Sequence, residues 1–369
     1  MQKTPVGIIG CGAISSIYLQ NLTRAFGVIE VVAVADLNLQ AAQERVAEFG
    51  IPRACTPEEL LSDPNIQIVV NLTSPAVHTQ VNVQILNAGK HVYTEKPFAL
   101  SLQDADTVLK LAAAKGLRVG CAPDTFFGAG LQTCRKLIED GWIGTPYAAH
   151  GQVLMGNAFD ALHPNFASFF QQGWDPLFDM APYYLTALVH LLGPVKKVSG
   201  MVGRVRETLT VNNPHSPLFG QTIPVGAPQH ASATLALAGG CIATLQVAKE
   251  SFGYSPRLEI YGTEGVLFVP DPNMFSGPIR LLQPDGTLKE FPYSHGFAEN
   301  SRGVGVADMA YALRSGRKHR ASGELARHLL ETTLGIFESS QRGQHVSISP
   351  LRDRPSPLPL GLKHGRLDD

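Results

Sequence analysis

Residues 6–15 read Val-Gly-Ile-Ile-Gly-Cys-Gly-Ala-Ile-Ser, and this segment indicates how the first part of the chain folds. It opens with a short apolar run, which is typical of a strand buried on both faces of a sheet. Gly10 and Gly12 interrupt the run, and apolar residues recur at helical spacing from Ala13 onwards. The segment therefore predicts a strand, a tight turn and a helix.

The first third of the chain repeats this alternation of short apolar runs and helical segments. Such alternation is typical of βαβ units, which build a parallel sheet with helices on its faces. It predicts an α/β domain with a doubly wound, Rossmann-type sheet over residues 1–123. The predicted strands are Val6–Gly10, Val31–Asp36, Ile66–Leu72, His91–Glu95 and Arg118–Ala122, and the predicted helices are Ala13–Phe26, Leu39–Gly50, Thr56–Leu61, Ala76–Ala88 and Leu102–Lys115.

Beyond residue 123 the pattern changes to strand-like runs with few helices between them. This predicts a second, α+β domain over residues 124–369 with a large, open and mostly antiparallel sheet. One helix is expected over Leu177–Leu192, and the stretch Val211–Gly226, rich in Pro, Asn and Gly, is expected to be an irregular loop. The predicted strands are Ala148–Met155, Val195–Val205, Ala231–Leu237, Ile242–Glu250, Arg257–Tyr261 and Gly265–Val269, and further helices are expected at Leu131–Asp140, Val304–Arg314 and Ser322–Ser340.

The glycine turn has the residues that a dinucleotide needs. Gly10 allows the tight turn, Gly12 lets the backbone approach a pyrophosphate, and the helix that begins at Ala13 and Ile14 offers unpaired N–H groups. Asp36 ends the second predicted strand, where a carboxylate accepts hydrogen bonds from ribose hydroxyls and repels a 2′-phosphate. The pattern predicts NAD rather than NADP as the cofactor. A turn without a ligand, with Asp36 capping the next helix, is the alternative.

Five further residues lie at the ends of two predicted strands. Thr73, Pro75 and His78 follow one strand, and Glu95 and Lys96 lie at the end of the next. Because open α/β sheets bind ligands outside the carboxyl ends of their strands, we expect these residues to lie beside the cofactor. A lysine or histidine without this position would more often be a solvated or core residue.

Composition excludes several classes of protein. The chain has 30 Lys and Arg against 31 Asp and Glu, so its charge provides no field to attract nucleic acid or an anionic membrane. With 44% apolar and 17% charged residues it can bury substantial cores. No uncharged apolar run reaches the ~18 residues that span a bilayer, and the N-terminus lacks the apolar core of a signal peptide. The five cysteines lack metal-ligand spacing, which predicts reduced thiols, no metal site and a cytoplasmic location.

Five segments spread along the chain resemble one known family. The segments VGIIGCGAIS, NLTSPAVH, TEKPFAL, FDMAPYYLTALVHLLG and LEIYGTEGVLFV are similar, in this order, to the Gfo/Idh/MocA oxidoreductases. That family is named for glucose–fructose oxidoreductase, inositol dehydrogenase and a rhizopine-catabolism protein. The resemblance implies a Rossmann domain followed by a sheet-rich domain whose open face often supports dimers or tetramers. A homo-oligomer formed through the C-terminal sheet is therefore expected.

The resemblance also implies roles for single residues. Lys96 matches the catalytic lysine of the family's E-K-P segment, and Pro75 and His78 match residues that face the nicotinamide end of the cofactor. The family's second-domain pattern, D-x-G-x-H-x-x-D, begins here at Asp179 and has Tyr183 in place of the histidine. Tyrosine occurs at this position in similar sugar oxidoreductases. The two further departures from the pattern are Ala181 for glycine and Thr186 for the second aspartate.

Oxidation of a secondary alcohol requires a group that accepts the hydroxyl proton or stabilises the developing charge. We expect Tyr183 and Lys96 to act as a coupled pair, with Asp179 orienting the substrate or the lysine. The alternative for Tyr183 and Tyr184 is an aromatic helix face packed in a core. Aromatic and polar side chains together suit a carbohydrate, although each of them can instead be structural. The predicted substrate contacts besides Tyr183 are His163, Trp174, Asn300 and Arg302.

Together these patterns predict a cytoplasmic, NAD-dependent oxidoreductase. Its substrate would be a sugar, cyclitol or glycoside on which it interconverts a secondary hydroxyl and a ketone, or a lactone. Two alternatives stay open. One is an enzyme that uses NAD transiently while it cleaves a glycosidic bond, as some members of the family do, and the other is a non-catalytic protein that binds NAD and a sugar. No nucleic-acid or membrane partner is expected.

Overall fold

The computed structural model describes residues 3–156, 166–171, 173–352, 354–363 and 365–368. Contacts within the chain divide it into two compact units. The first unit comprises Met1–Gln132, Tyr293–Leu330 and Pro355–Asp369, and the second comprises Thr133–Pro292 and Glu331–Arg354. The sequence predicted one boundary, after residue 123, whereas two later segments of the chain return to the first unit.

The first unit is built on six short strands. They are Thr4–Ile9 (β1), Ile29–Ala35 (β2), Ala54–Cys55 (β3), Ile68–Asn71 (β4), His91–Thr94 (β5) and Val119–Cys121 (β6). The strands pair in parallel in the order β3-β2-β1-β4-β5-β6. The order reverses between β1 and β4, which is where doubly wound sheets bind ligands. The predicted fold class is confirmed, and the sequence missed only β3, which has two residues.

Helices follow the strands of this sheet. They are Ser15–Arg24 (α1), Leu39–Phe49 (α2), Pro57–Ser62 (α3), His78–Asn87 (α4), Leu102–Ala114 (α5) and Ala129–Glu139 (α6), and a 3₁₀ helix, Pro75–Val77, precedes α4. The start of α3 is a capping box, because Thr56 and Glu59 each accept a backbone N–H from the other. Asn38 caps α2 by accepting the N–H of Gln40. The alternative in which Asp36 is the cap is therefore wrong.

The second unit is built on a nine-stranded sheet and a small ribbon. The strands are Pro146–Leu154 (β7), Val195–Gly203 (β8), Thr208–Thr210 (β9), Thr222–Pro224 (β10), His230–Leu237 (β11), Ile242–Ala248 (β12), Ser255–Gly262 (β13), Gly265–Val269 (β14), Ile279–Leu282 (β15), Leu288–Phe291 (β16) and Val346–Ser347 (β17). The large sheet has the order β16-β15-β14-β13-β7-β12-β11-β8-β17. Its pairs are antiparallel except β7 with β12, as the sequence predicted for a mostly antiparallel sheet.

One face of this sheet is covered by helices and the other is open. In β11 and β12 buried and exposed residues alternate, which is the pattern of strands with one solvated face. The covering helices include Pro176–Asp179 (α7) and Ala181–Leu192 (α8). All residues of α8 are buried, because the helix is apolar around nearly its whole circumference.

Two predictions for the second unit are wrong. The single helix expected over Leu177–Leu192 is interrupted at Met180, where α7 ends and α8 begins. Pro182 explains the break, because a proline lacks the N–H of a continuous helix and its ring clashes with the preceding turn. The loop expected over Val211–Gly226 contains β10, which pairs with β9 because Ile223 packs into a small aromatic core.

A buried aspartate accounts for the first return of the chain to the first unit. Asp124 follows β6, and its Oδ2 accepts the N–H groups of Gly303 (2.8 Å) and Gly305 (3.0 Å), where the helix Val304–Ser315 (α9) begins. Burial raises the pKa of Asp124 to about 6, and the two N–H groups and Arg302 oppose this shift. A further helix, Gly323–Arg342 (α10), follows.

Candidate active site

The glycine turn after β1 is shaped by two glycines with different surroundings. Gly10 has φ +106°, and a Cβ there would lie 2.7 Å from the backbone carbonyl of Leu72. Only glycine fits this position, because an L side chain is strained at that φ and would clash with backbone. Gly12 is exposed, and a Cβ added to it would meet no atom within 4 Å. The turn therefore leaves open space on the outer side of Gly12.

The start of α1 presents backbone N–H groups next to this space. No side chain caps the helix at Ile14, and its first turn has no acidic residue. Ala13 and Ile14 are exposed, whereas Ser15 is buried and donates its hydroxyl to the Gly12 carbonyl at 2.6 Å. An uncapped helix start with its positive dipole end suits a phosphate group. The turn and the helix start together fit the pyrophosphate of a dinucleotide.

The Asp36 carboxylate lies beside the same turn. Its Oδ2 accepts the backbone N–H of Cys11 at 2.8 Å, and its Oδ1 accepts that of Asn38 at 2.9 Å. These two bonds fix a negative charge at the end of β2, as the sequence predicted. Burial, followed by the charge of Asp36, raises the pKa of the Cys11 thiol to about 12, so this cysteine is a neutral group at physiological pH.

His78 joins the loops that follow β4 and β5. It is fully buried, its Nδ1 lies 2.8 Å from the Pro97 carbonyl, and its Nε2 lies 2.9 Å from the Thr73 carbonyl. Burial is the main cause that lowers the pKa of His78, and the two carbonyls oppose it. Both ring nitrogens face backbone carbonyls, one of each of the two loops, so His78 positions these loops, and its contact with a cofactor stays a prediction.

Asn71 sets the shape of the loop that contains Thr73 and Pro75. The fully buried Asn71 side chain accepts the N–H and hydroxyl of Thr73 and donates to Asn82 of α4 at 2.8 Å. Thr73 is half-buried, and Pro75 is buried as the first residue of the 3₁₀ helix. Asn71 was not among the predicted site residues, although a polar asparagine at the end of the apolar strand Ile-Val-Val-Asn is visible in the sequence.

Glu95 supports the backbone from which Lys96 projects. Glu95 is 9% exposed; its Oε1 accepts the Tyr18 hydroxyl at 2.7 Å and its Oε2 accepts the Lys96 N–H at 2.9 Å. The Glu95 carboxylate is thus directed into the protein, and contact of this residue with the cofactor stays a prediction. Lys96 is half-buried. Burial, followed by the charge of Glu95, raises the pKa of the Cys121 thiol, and the positive charge of Lys96 opposes this shift.

In the second unit, Asp179 forms an ion pair with a lysine that the sequence analysis missed. Asp179 is the last residue of α7, and its Oδ2 lies 2.8 Å from Nζ of Lys249, which follows β12. Lys249 also donates to the Trp174 carbonyl at 2.5 Å. The half-buried Trp174 packs edge-on against Phe169, with 4.7 Å between ring centroids. Two of the predicted residues, Asp179 and Trp174, are therefore brought together.

Tyr183 lies in the first turn of α8 and is 9% exposed. Its neighbour Tyr184 is fully buried, so both tyrosines belong to the buried part of α8, and the catalytic role of Tyr183 stays a prediction. Tyr254 donates its hydroxyl to Asp271 at 2.5 Å. Burial and Asp271 raise the pKa of Tyr254, and Tyr183 lies close enough to add to this shift. Tyr254 and Asp271 are further polar neighbours that the sequence analysis did not select.

Three predicted substrate contacts remain, of which two belong to the first unit. Asn300 and Arg302 belong to the first unit, where their carbonyls accept the side-chain amide of Asn21 at 2.8 Å each. These bonds attach the segment before α9 to α1, and substrate contact by either residue stays a prediction. His163 lies outside the described residues.

Comparison with known proteins gives two adjoining matches. The family described as "Oxidoreductase family, NAD-binding Rossmann fold" matches residues 4–122, and the "GFO/IDH/MocA C-terminal domain" matches residues 131–268. The chain belongs to the Gfo/Idh/MocA oxidoreductase family. It is an NAD-binding oxidoreductase, and the family assignment made from the sequence is confirmed.

Several known proteins match most of the chain. A myo-inositol 2-dehydrogenase of Thermotoga maritima is 24% identical, over 86% of this chain and 91% of its own length. An inositol 2-dehydrogenase/D-chiro-inositol 3-dehydrogenase of Lacticaseibacillus casei is 25% identical, over 74% of each chain. Among solved structures, levoglucosan dehydrogenase with NADH and L-sorbose has a TM-score of 0.81 at 18% identity, over 94% of this chain and 99% of that one. The last similarity shows a shared fold.

Two absences hold for residues 3–156, 166–171, 173–352, 354–363 and 365–368. Within these ranges no group of three or more His, Cys, Asp or Glu side chains is arranged to hold a metal ion. Within the same ranges no helix combines the length and apolarity needed to cross a membrane.

The position of Lys249 in the sequence indicates that this lysine is buried and paired. In β12 the residues Ala243, Leu245 and Val247 face the covered side of the sheet. Lys249 continues this alternation at a position where an apolar residue is expected, and it is 2% exposed. A lysine on the buried side of an alternating strand requires a partner, because an unpaired buried charge is costly.

Proposed function

We propose that this oxidoreductase converts a secondary hydroxyl of a sugar or cyclitol to a ketone, or a sugar hemiacetal to a lactone, with NAD rather than NADP. The observation that carries the proposal is Lys96 on the loop after β5. Asn71 at the end of β4 pairs with Thr94 at the end of β5. The loop after β4, with Thr73 and Pro75, and the loop after β5, with Lys96, therefore begin at neighbouring strand ends. The substrate class is supported by the names of the inositol and levoglucosan dehydrogenases that resemble the chain.

NAD would be held by the first unit. The open space beside Gly12 and the uncapped start of α1 suit the pyrophosphate, and Asp36 suits the ribose hydroxyls. The fixed carboxylate of Asp36 would repel a 2′-phosphate, which favours NAD. When bound, NAD supplies the acceptor for the hydride. The loops that contain Thr73, Pro75 and Lys96 would border its nicotinamide end.

The protein's own contribution is to manage the hydroxyl proton. We assign to Lys96 a hydrogen bond to the reacting hydroxyl oxygen, which stabilises the charge that develops there. In the second unit, Tyr183 would accept the proton, and Asp179 would orient the substrate through a second hydroxyl. Glu95 and His78 support the Lys96 loop from inside the protein.

The test measures NADH formation with inositols, aldoses and levoglucosan as substrates. We expect Lys96→Ala to lower kcat by about 10²- to 10⁴-fold, the usual contribution of acid–base catalysis, and to leave the Kd for NAD nearly unchanged. Lys115→Ala, which removes an exposed lysine after α5, is the matched control. Near-normal turnover of Lys96→Ala would refute the assignment. Release of free sugar from a glycoside without net NADH would indicate the glycoside-cleaving alternative.

We also propose a cytoplasmic location and a homo-oligomer that forms through the open face of the large sheet. All five cysteines are unpaired, which supports a reducing compartment. Register places Met201 and Ile242 on the open face, and both are exposed. Light scattering is expected to give a dimer or tetramer that Met201→Glu with Ile242→Glu dissociates. A wild-type monomer would contradict the proposal.

A further inference from the structure

Lys249 is a buried cation to which the proposed reaction gives no part. Its side chain is 2% exposed. Its Nζ lies 2.8 Å from Asp179 Oδ2, donates to the Trp174 carbonyl at 2.5 Å and stands 5.5 Å from the centroid of the Phe169 ring. An ammonium has three N–H donors, and two polar partners with an aromatic face account for them. Lys249 is therefore built into the protein and is not arranged to bind a ligand directly.

The two polar partners of Lys249 lie at opposite ends of α7. Trp174 directly precedes the capping residue Asp175, and Asp179 is the last residue of the helix. A helix of four residues is not stable by itself, because nucleation costs more than one turn returns. One ammonium thus holds both ends of α7. Since α8 begins two residues after Asp179, the same contacts define where the first turn of α8, with Tyr183, starts.

The charge of Lys249 also acts on a second carboxylate, that of Asp175. Asp175 is buried and caps α7 by accepting the N–H groups of Leu177 (3.1 Å) and Phe178 (3.3 Å). Burial raises the pKa of Asp175 to about 6, and the two N–H groups and then the charge of Lys249 oppose this. Lys249 therefore favours the ionised form of Asp175 in addition to pairing with Asp179. Removal of its charge would abolish the ion pair with Asp179 and the electrostatic support of the ionised Asp175.

We propose that Lys249 is a positioning residue that fixes α7, and through it the Asp179 carboxylate and the Tyr183 hydroxyl, for binding of the carbohydrate. The inference rests on the roles proposed above for Asp179 and Tyr183. It predicts that Lys249 acts through α7 and makes no substrate contact of its own. Lys249 would then affect substrate use and the environment of Trp174, while NAD binding by the first unit would remain.

The first experiment uses Trp174 as a reporter that needs no activity. The chain has two tryptophans, so Trp142→Phe leaves Trp174 as the only one. In this background we expect Lys249→Met to shift the Trp174 emission to the red and to increase its quenching by acrylamide. Asp179→Asn should leave both unchanged, because the bond from Lys249 to the Trp174 carbonyl remains. Lys289→Met, which removes an exposed lysine of the same unit, is the control.

Lys249→Met leaves the Asp179 carboxylate without its cation, which can prevent folding. The double variant Lys249→Met with Asp179→Asn removes both charges together and keeps the test valid. Its Trp174 emission is expected to be red-shifted relative to Asp179→Asn alone. Identical emission of these two variants would overturn the inference.

The second experiment measures steady-state kinetics with the best polyol. We expect Lys249→Met to lower kcat/KM about 100-fold, the size of effect that misplacement by roughly 1 Å produces, with the Kd for NAD within about twofold of wild type. Adding Lys249→Met to Asp179→Asn should cause a smaller loss than the same change in the wild-type chain, because the part of the effect that acts through Asp179 is already gone while the placement of Tyr183 still depends on Lys249. Additive losses would indicate direct substrate contact and overturn the inference. If the wild-type protein oxidises no polyol, the proposed function fails, and the Trp174 emission still decides the role of Lys249.

Discussion

Replacing Gly10 and Gly12 separately by alanine distinguishes the fold of the glycine turn from its use. At Gly10 the backbone has φ +106°, and the new Cβ would lie 2.7 Å from the Leu72 carbonyl group. Backbone strain of about 1–3 kcal/mol and overpacking of about 1–3 kcal/mol together cost about 2–6 kcal/mol. We therefore expect Gly10→Ala to lose a large part of a typical unfolding free energy of about 5–15 kcal/mol.

At Gly12 the same methyl group enters open space. No atom lies within 4 Å of the new Cβ, so we expect the free energy of unfolding to stay the same or to rise by up to about 1 kcal/mol. The methyl group would occupy the space that we assign to the pyrophosphate. A steric cost of about 1–3 kcal/mol there corresponds to roughly a 5- to 150-fold weaker Kd for NAD.

Two assays separate the effects. Urea unfolding of the cofactor-free variants measures stability, and quenching of intrinsic fluorescence on titration with NAD measures Kd. Gly10→Ala should lower the free energy of unfolding, and Gly12→Ala should weaken only the Kd for NAD. Wild-type affinity of a stable Gly12→Ala variant would refute the assignment of this space to NAD. A fully stable Gly10→Ala variant would show that the strain argument is wrong.

Three further predictions concern buried or fixed carboxylates. Because the folded pKa of Asp124 is raised from 3.8 to about 6, the protein should lose about 3 kcal/mol of stability from this group as pH rises from about 4 to 6. The free energy of unfolding of Asp124→Asn, measured in urea across this pH range, should not show that loss. If the difference in free energy between wild type and variant stayed constant with pH, the prediction would be contradicted. Asp308 is fully buried and pairs with Arg317 (2.7 Å) and Arg320 (2.5 Å), so Asp308→Asn should cost about 3–5 kcal/mol by denaturant unfolding. The half-buried Asp368, which also pairs with Arg317, is the control, and Asp368→Asn should cost no more than about 1 kcal/mol. Asp36→Ser should lower the ratio of the Kd for NADP to the Kd for NAD by at least about tenfold in fluorescence titrations, and an unchanged ratio would show that Asp36 does not set the preference.

The polar residues at the strand ends show where prediction of the site reached its limit. The sequence identified the loops after β4 and β5, because position at the carboxyl end of a parallel strand follows from the order of the elements. It did not reveal that His78 and Glu95 point inwards. The ring nitrogens of His78 face backbone carbonyls, and the carboxylate oxygens of Glu95 accept hydrogen bonds from a backbone N–H and from Tyr18. Which side of a loop a polar side chain takes depends on partners from other elements.

The fold of the nucleotide-binding part could be predicted from the sequence by itself, because the sequence patterns that indicate it are local. An apolar run, a glycine with positive φ, a helix start and an acid at the next strand end each depend on a few neighbouring residues. The pairing of Lys249 with Asp179 and of Asp124 with the start of α9 was decided only by tertiary structure. These partners lie far apart along the chain, and their contact requires the packing of whole sheets and helices, which no local preference of the backbone encodes.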